Sequence, residues 1–388
     1  MIAKLFERVS YAHLLAYNVI LGLSAGLIIA GFIYALEQSR LLIWNTLPTA
    51  LGLDTLYDWY VIAACTVGGL LLGLALKTLG DYPKSLEITL ADYKKTKAFD
   101  YRHLWQAVLI SLVSLGFGAS LGPEAALATL IGGLITLAGV KLKHASLVAY
   151  GADINSKLTR PKRVLLGLAA ASSAWLVFSN IGDNESYFDI TTESYLFNFT
   201  DLAWMLLIIP AAVLVGWLYN RSEAQFDDWF ADSRKQNIVL TATAGGLMLG
   251  LLGFIQPDIL FSGHENLGWL LQSIAINGTW FFVGLVLAKI AATAICLTTG
   301  WKGGRFLPVL MMGAAAGLAV STITPVSAMF AMAIGMAACL SFVLKKPLIA
   351  GLLVVLFFPL SLALQIMAAA FIARRIPNLR RSVSRVAS

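Results

Sequence analysis

Charge is what this sequence has least of. Lys, Arg, Asp and Glu make up 13% of its 388 residues, against about a quarter in a soluble globular chain. Hydrophobic residues reach 59% and mean hydropathy is +0.79. That balance cannot wet the surface of a soluble protein, so it excludes a soluble enzyme, a disordered chain and a fibrous repeat. Cysteine is nearly missing. Cys65, Cys296 and Cys339 lie far apart inside apolar runs, with neither metal spacing nor a disulfide framework, and read as small core residues. The four histidines, His13, His103, His144 and His264, have no i, i+4 partner or neighbouring cysteine, so a metal site is not expected. No phosphate-binding loop, dinucleotide fingerprint, G-x-S-x-G elbow or H-E-x-x-H motif is present. No catalytic residue, cofactor or enzyme activity is expected.

Long apolar runs are plentiful. Tyr11–Leu36, Tyr60–Lys77, Leu202–Tyr219 and Trp280–Leu297 each suffice to cross a hydrocarbon core of about 30 Å. Further runs lie near Val164–Ile181, Ile238–Ile255 and Leu348–Ala373, and the pieces Leu104–Gly118 and Gly122–Val140 are parted by a Gly-Pro break. Backbone in lipid must bond internally, so these are helices, roughly ten segments in all. The first apolar stretch is too long for a signal-peptide core and lacks a cleavage site, so it is expected to remain in the mature protein. No soluble or C-terminal regulatory domain is expected.

The net charge is +7 and the pI near 9.2, but the position of the charges argues against nucleic acid. Basic residues gather in Lys4 and Arg8, in Lys84–Arg102, in Lys157–Arg163 and in the tail from Arg374 to Arg385; acidic ones gather at Asp54 and Asp58 and over 183–201. Positive-inside topology then puts both termini and the 80–103 loop in the cytoplasm and 183–201 outside, with the tail on anionic lipid.

A weak internal repeat relates the halves, taken as 1–200 and 201–388. Pro123 precedes Gly132 by nine residues as Pro308 precedes Gly317, and Gly167-Leu-Ala-Ala170 is echoed by Gly335-Met-Ala-Ala338. Both halves therefore begin a helix at a glycine-rich break inside an apolar stretch, Gly116–Glu124 and Gly300–Pro308. A helix starting within the membrane presents unpaired N–H groups and about half a positive charge, which suits anions. The plain alternative is a loop between two spans.

The second break, Lys289-Ile-Ala-Ala-Thr293 with Thr299-Gly-Trp-Lys-Gly-Gly-Arg-Phe-Leu-Pro308, Gly313 and Gly317, resembles the K-x-x-x-T, G-x-x-GG-x-F-x-P and G-x-x-x-G signature of CLC chloride channels and transporters. Ala119-Ser-Leu-Gly-Pro-Glu124 resembles the Gly-Pro end of that family's G-[KR]-E-G-P signature. Its Ser-Leu-Gly-Pro-Glu form, with Leu260-Phe-Ser-Gly-His-Glu265, is similar to a bacterial branch described only as ion-transport proteins. The resemblance implies an all-α polytopic membrane fold of two inverted repeats with broken helices. It also implies a homodimer with one path per subunit in a bacterial inner membrane, and an anion site at Ser120, Leu121, Gly122, Arg305, Phe306 and Leu307, where Phe306 matches the filter phenylalanine.

Departures from the family pattern are specific. The gating glutamate falls at Leu121, and the first signature, near Leu79–Pro83, has Gly80 where its serine would stand. No tyrosine follows Tyr219, and the proton-relay glutamate has no secure match, the nearest carboxylate being Glu185. Because Leu121 cannot carry charge, the expected function is passive permeation of chloride or a similar small anion. Glu124 keeps a second reading open: it could replace the missing gate or carry protons in a coupled antiporter, or it could merely stabilise the helix dipole. A non-transporting CLC-like scaffold is the third. Lys289 is an ionisable residue within an apolar run, where partners are the rule; it could raise the potential along the path or pair with Glu124 or Glu265. Lys302 and Arg305 could draw anions to the filter or anchor the interface. Glu87 and Asp153 read as loop or helix-end residues.

Overall fold

The computed structural model describes residues 11–53, 57–96, 99–144, 160–181 and 199–377. Asp153, Glu185, the acidic loop and both termini lie outside the described residues. The described chain is helical, with one isolated antiparallel bridge, Gly122 with Gly304. In chain order the helices of six or more residues are α1 (Tyr11–Leu41), α2 (Tyr57–Leu79), α3 (Leu86–Thr96), α4 (Leu104–Gly116), α5 (Glu124–His144), α6 (Arg160–Ile181), α7 (Phe199–Gln236), α8 (Ile238–Ile255), α9 (Leu267–Gln272), α10 (Thr279–Thr299), α11 (Phe306–Ser321), α12 (Ala328–Leu344), α13 (Pro347–Val355) and α14 (Ala363–Arg375), and α1 is continued by a π-helical turn at Leu42–Thr46 and a short α-helix at Leu47–Ala50. Among the described residues five helical stretches are long and apolar enough to cross a membrane: Asn18–Ala50, Trp59–Leu79, Phe199–Gln236, Ile238–Ile255 and Thr279–Thr299. Five shorter apolar helices accompany them. The protein is a polytopic, all-α membrane protein.

The chain forms two compact units, each drawn from separated segments. Within the described residues, the first takes Met1–Leu41, Tyr82–Leu112 and Ala125–Glu185, and the second takes Leu42–Asp81, Val113–Glu124 and Ser186–Ser388. In the first unit α1 packs along α6. Gly22 and Gly26 make this possible: a Cβ on either would overlap the backbone of Ala170 or Ala174. Helices in lipid gain little from hydrophobicity and associate through such close backbone approach. Ser173 adds a hydrogen bond to the Val19 carbonyl, 3.2 Å away.

The second unit uses the same device twice. α2 lies on α8 and α11 on α12; Gly313 and Gly317 face Gly335 and Ala331 at backbone contact. Pro210 lies inside α7, a position tolerated where neighbouring helices can satisfy the freed carbonyl. Asn237 separates α7 from α8, its side chain accepting the Leu240 N–H at 3.1 Å. The apolar run Leu348–Ala373 is not one helix, as its hydropathy suggests. It divides into α13 and α14, with a short 3₁₀ turn at Leu360–Leu362, because Pro359 lacks an N–H and cannot continue a helix.

Candidate functional site

α4 ends at Gly116, and the chain then runs through the glycine-rich loop to Glu124, the first residue of α5. The loop is held from several sides within the second unit. The Trp44 indole donates to the Gly116 carbonyl at 2.8 Å, and the Phe261 N–H donates to the Gly118 carbonyl at 3.2 Å. Gly118 has φ of +90° and a Cβ there would press on the Trp44 ring, so glycine is required. The Ser120 and Thr293 hydroxyls lie 3.2 Å apart, joining the loop to α10.

The second glycine-rich loop follows α10. Gly300, at φ +101°, closes that helix, and the Lys302 N–H donates to the Ser114 hydroxyl at 2.9 Å. Gly304 and Gly122 exchange reciprocal backbone hydrogen bonds of 2.6 and 2.8 Å. Two predicted site amides are therefore engaged: Gly122 N–H with Gly304, and Leu121 N–H with the Ala119 carbonyl at 2.7 Å. Leu121 itself is 1% exposed and packs on Gly303.

Arg305 is the N-cap of α11, and Phe306 and Leu307 are its first two residues. Pro308 has no N–H to offer, and the Val309 N–H bonds the Arg305 carbonyl at 3.1 Å. The donors pointing out of this helix end thus narrow to its first residues. One is taken by Glu124, whose Oε1 accepts the Leu307 N–H at 2.8 Å. Glu124 Oε2 is buried and has no hydrogen-bond partner among the described residues. Its carboxylate lies against Gly122 and Gly304, where any Cβ would overlap it. A carboxylate therefore sits at the α11 N-terminus, where the helix end attracts negative charge.

The three basic candidates are placed differently. Lys289 is fully buried and donates to the carbonyls of Ile259 and Phe261 at 2.9 and 2.8 Å, with Leu260 at 3.5 Å. Its hydrogen bonds go to this loop rather than to Glu124. Because Phe261 in turn bonds the Gly118 carbonyl, Lys289 supports the first glycine loop at one remove. Lys302 pairs with Asp81, whose side chain is 84% exposed. Arg305 Nη1 donates to both carboxylate oxygens of Glu223, each at 3.1 Å. Sequence reasoning did not single out Glu223 or Trp44; each belongs to an element whose local pattern says nothing of its distant partner. Among the described residues no group of three or more His, Cys, Asp or Glu could hold a metal ion.

Residues 155–378 match the family profile described as "Voltage gated chloride channel", more than half of the chain. The protein belongs to the voltage-gated chloride channel family. Among related sequences, YfeO of Escherichia fergusonii, whose name provisionally assigns it to ion transport, is 24% identical over 336 residues, covering 77% of each chain. Chloride channel protein CLC-f of Arabidopsis thaliana is 25% identical over 350 residues, 78% of this chain and 44% of the plant protein. Of solved structures, a slow cyanobacterial Cl⁻/H⁺ antiporter superposes with a TM-score of 0.75 at 17% identity, covering 93% of both chains. A CLC-type fluoride/proton antiporter gives 0.72 at 15% identity, covering 95% of both. The fold is therefore that of CLC transporters. The matched segment contains the loop before α11 and not the Ser-Leu-Gly-Pro-Glu stretch.

Proposed function

We propose that this protein moves chloride or a similar small anion across a bacterial inner membrane. In this reading it is a homodimer of two inverted repeats, 1–200 and 201–388, with one path per subunit and both termini in the cytoplasm. The anion site lies at Ser120–Gly122 and Arg305–Leu307, with the Leu121 and Gly122 N–H groups held by the Ala119 and Gly304 carbonyls. The observation that carries the reading is the Leu307 N–H donated to Glu124. A tethered carboxylate occupies the helix end that attracts anions, so a free anion reaches that amide only when the carboxylate leaves. The same observation favours coupling over passive conduction through a site closed only by Leu121. Among the described residues Oε2 has no hydrogen-bond partner, and an unpaired buried charge is costly; a proton taken there would neutralise the group and release it.

Chloride efflux from liposomes holding the purified protein, with pH recorded on both sides, tests this. Uphill proton movement accompanying chloride is the expected result, and Glu124→Gln should keep anion flux while losing proton movement. Chloride efflux that needs a potassium ionophore and moves no protons would establish the passive reading. No flux of any anion would leave a CLC-like scaffold.

A further inference from the structure

The Glu223–Arg305 pair joins α7 to the N-cap of α11. α7 has 38 residues, about 57 Å at 1.5 Å per residue, well beyond the ~30 Å hydrocarbon core. Its apolar part ends at Tyr219, and Glu223 follows one turn later, at the start of the polar extension. There it meets the N-cap residue of α11. The two side chains are 21% and 19% exposed, so solvent and salt screen this pair far less than the neighbouring Lys302–Asp81 pair, whose carboxylate is 84% exposed. One guanidinium nitrogen contacts both carboxylate oxygens, and that geometry cancels the arginine charge where it stands.

We propose that Glu223 sets the anion affinity of the site: by neutralising Arg305 it lowers the positive potential at the α11 end and so sets how strongly anions are drawn there. This rests on the proposed anion transport and deepens it. The sheltered pair holds the local field near that of the backbone amides alone, while Lys302 is paired with the exposed carboxylate of Asp81. Removing the carboxylate takes this counter-charge from Arg305 beside the anion-attracting helix end; removing the guanidinium takes the counter-charge from Glu223.

The test is chloride flux against chloride concentration in liposomes, at low and high ionic strength. Glu223→Gln should lower the half-saturating concentration about two- to three-fold at low ionic strength, the scale of one charge some 10 Å away in a watery medium. Arg305→Gln should raise it. Both shifts should shrink above about 0.3 M salt, where screening is strong. Glu223→Asp, which keeps the charge, should retain the wild-type value and covers the case in which Glu223→Gln fails to fold. Wild-type flux with both variants unmoved, or with both slowed alike at all salt concentrations, overturns the proposal alone, the latter because it is what a merely structural pair gives. Wild type that moves no anion removes the transport reading and this proposal with it.

Discussion

Lys289, fully buried, and Glu124, whose Oε2 is buried, are two ionisable side chains that deal with burial in opposite ways. Glu124 commits one oxygen to the Leu307 amide and leaves the other without a partner, whereas Lys289 spends its ammonium on the carbonyls of 259–261. Lys289→Met should therefore act as a fold mutation, leaving carbonyls unsatisfied at a cost of about 1–3 kcal/mol. Thermal unfolding in detergent would read it; an unchanged midpoint would mean that the loop finds other donors. Gly304→Ala should behave differently. Its methyl would overlap the Glu124 carboxylate, so it should displace that group from Leu307 and reproduce the anion flux of Glu124→Gln. A folded Gly304→Ala protein with wild-type flux and proton movement would show that the carboxylate does not hold the site.

Asp100 lies outside the membrane-spanning segments and makes a prediction about pH. Burial works to raise its carboxyl, but the Arg102 N–H and the His103 ring outweigh it and hold the group below its ordinary value. A depressed folded value stabilises above the unfolded value, ~3.9, and that contribution is lost as pH falls through the folded one. Asp100→Asn should thus melt below wild type at pH 7, by a small margin because the side chain is half exposed. The gap should close below pH ~4, and a gap that persisted there would point to a cause other than charge.

Helix pairs in this protein are set by glycine, because lipid removes the usual hydrophobic drive. Gly317 touches the Ala331 carbonyl, and Gly313 and Gly335 oppose each other across α11 and α12. Gly317→Leu should force these helices apart at an overpacking cost of about 1–3 kcal/mol or more. Because α11 carries Phe306 and Leu307, anion flux should fall with the melting temperature. Equal loss of stability from an exposed position such as Leu352→Ala, which is 60% exposed, would remove the packing explanation. At this scale much was legible from the sequence. Ile238–Ile255 is the helix its hydropathy predicts, and the Gly-Pro break falls where α4 gives way to α5. The run Leu348–Ala373 was misleading because average hydropathy does not register one missing N–H at Pro359.

For the whole molecule, composition determined the solvent: a chain with so few charges and so many apolar runs has to be a helical membrane protein, since backbone in lipid can satisfy itself locally only as helix. Local motifs also marked both glycine-rich breaks and the family. Only the tertiary structure decided which side chains meet at them. Glu124 reaches Leu307 across 183 positions of sequence and Glu223 reaches Arg305 across 82. Periodicity and spacing act over a few turns of helix, whereas these pairings follow from how glycine-lined helices pack, which no local pattern contains.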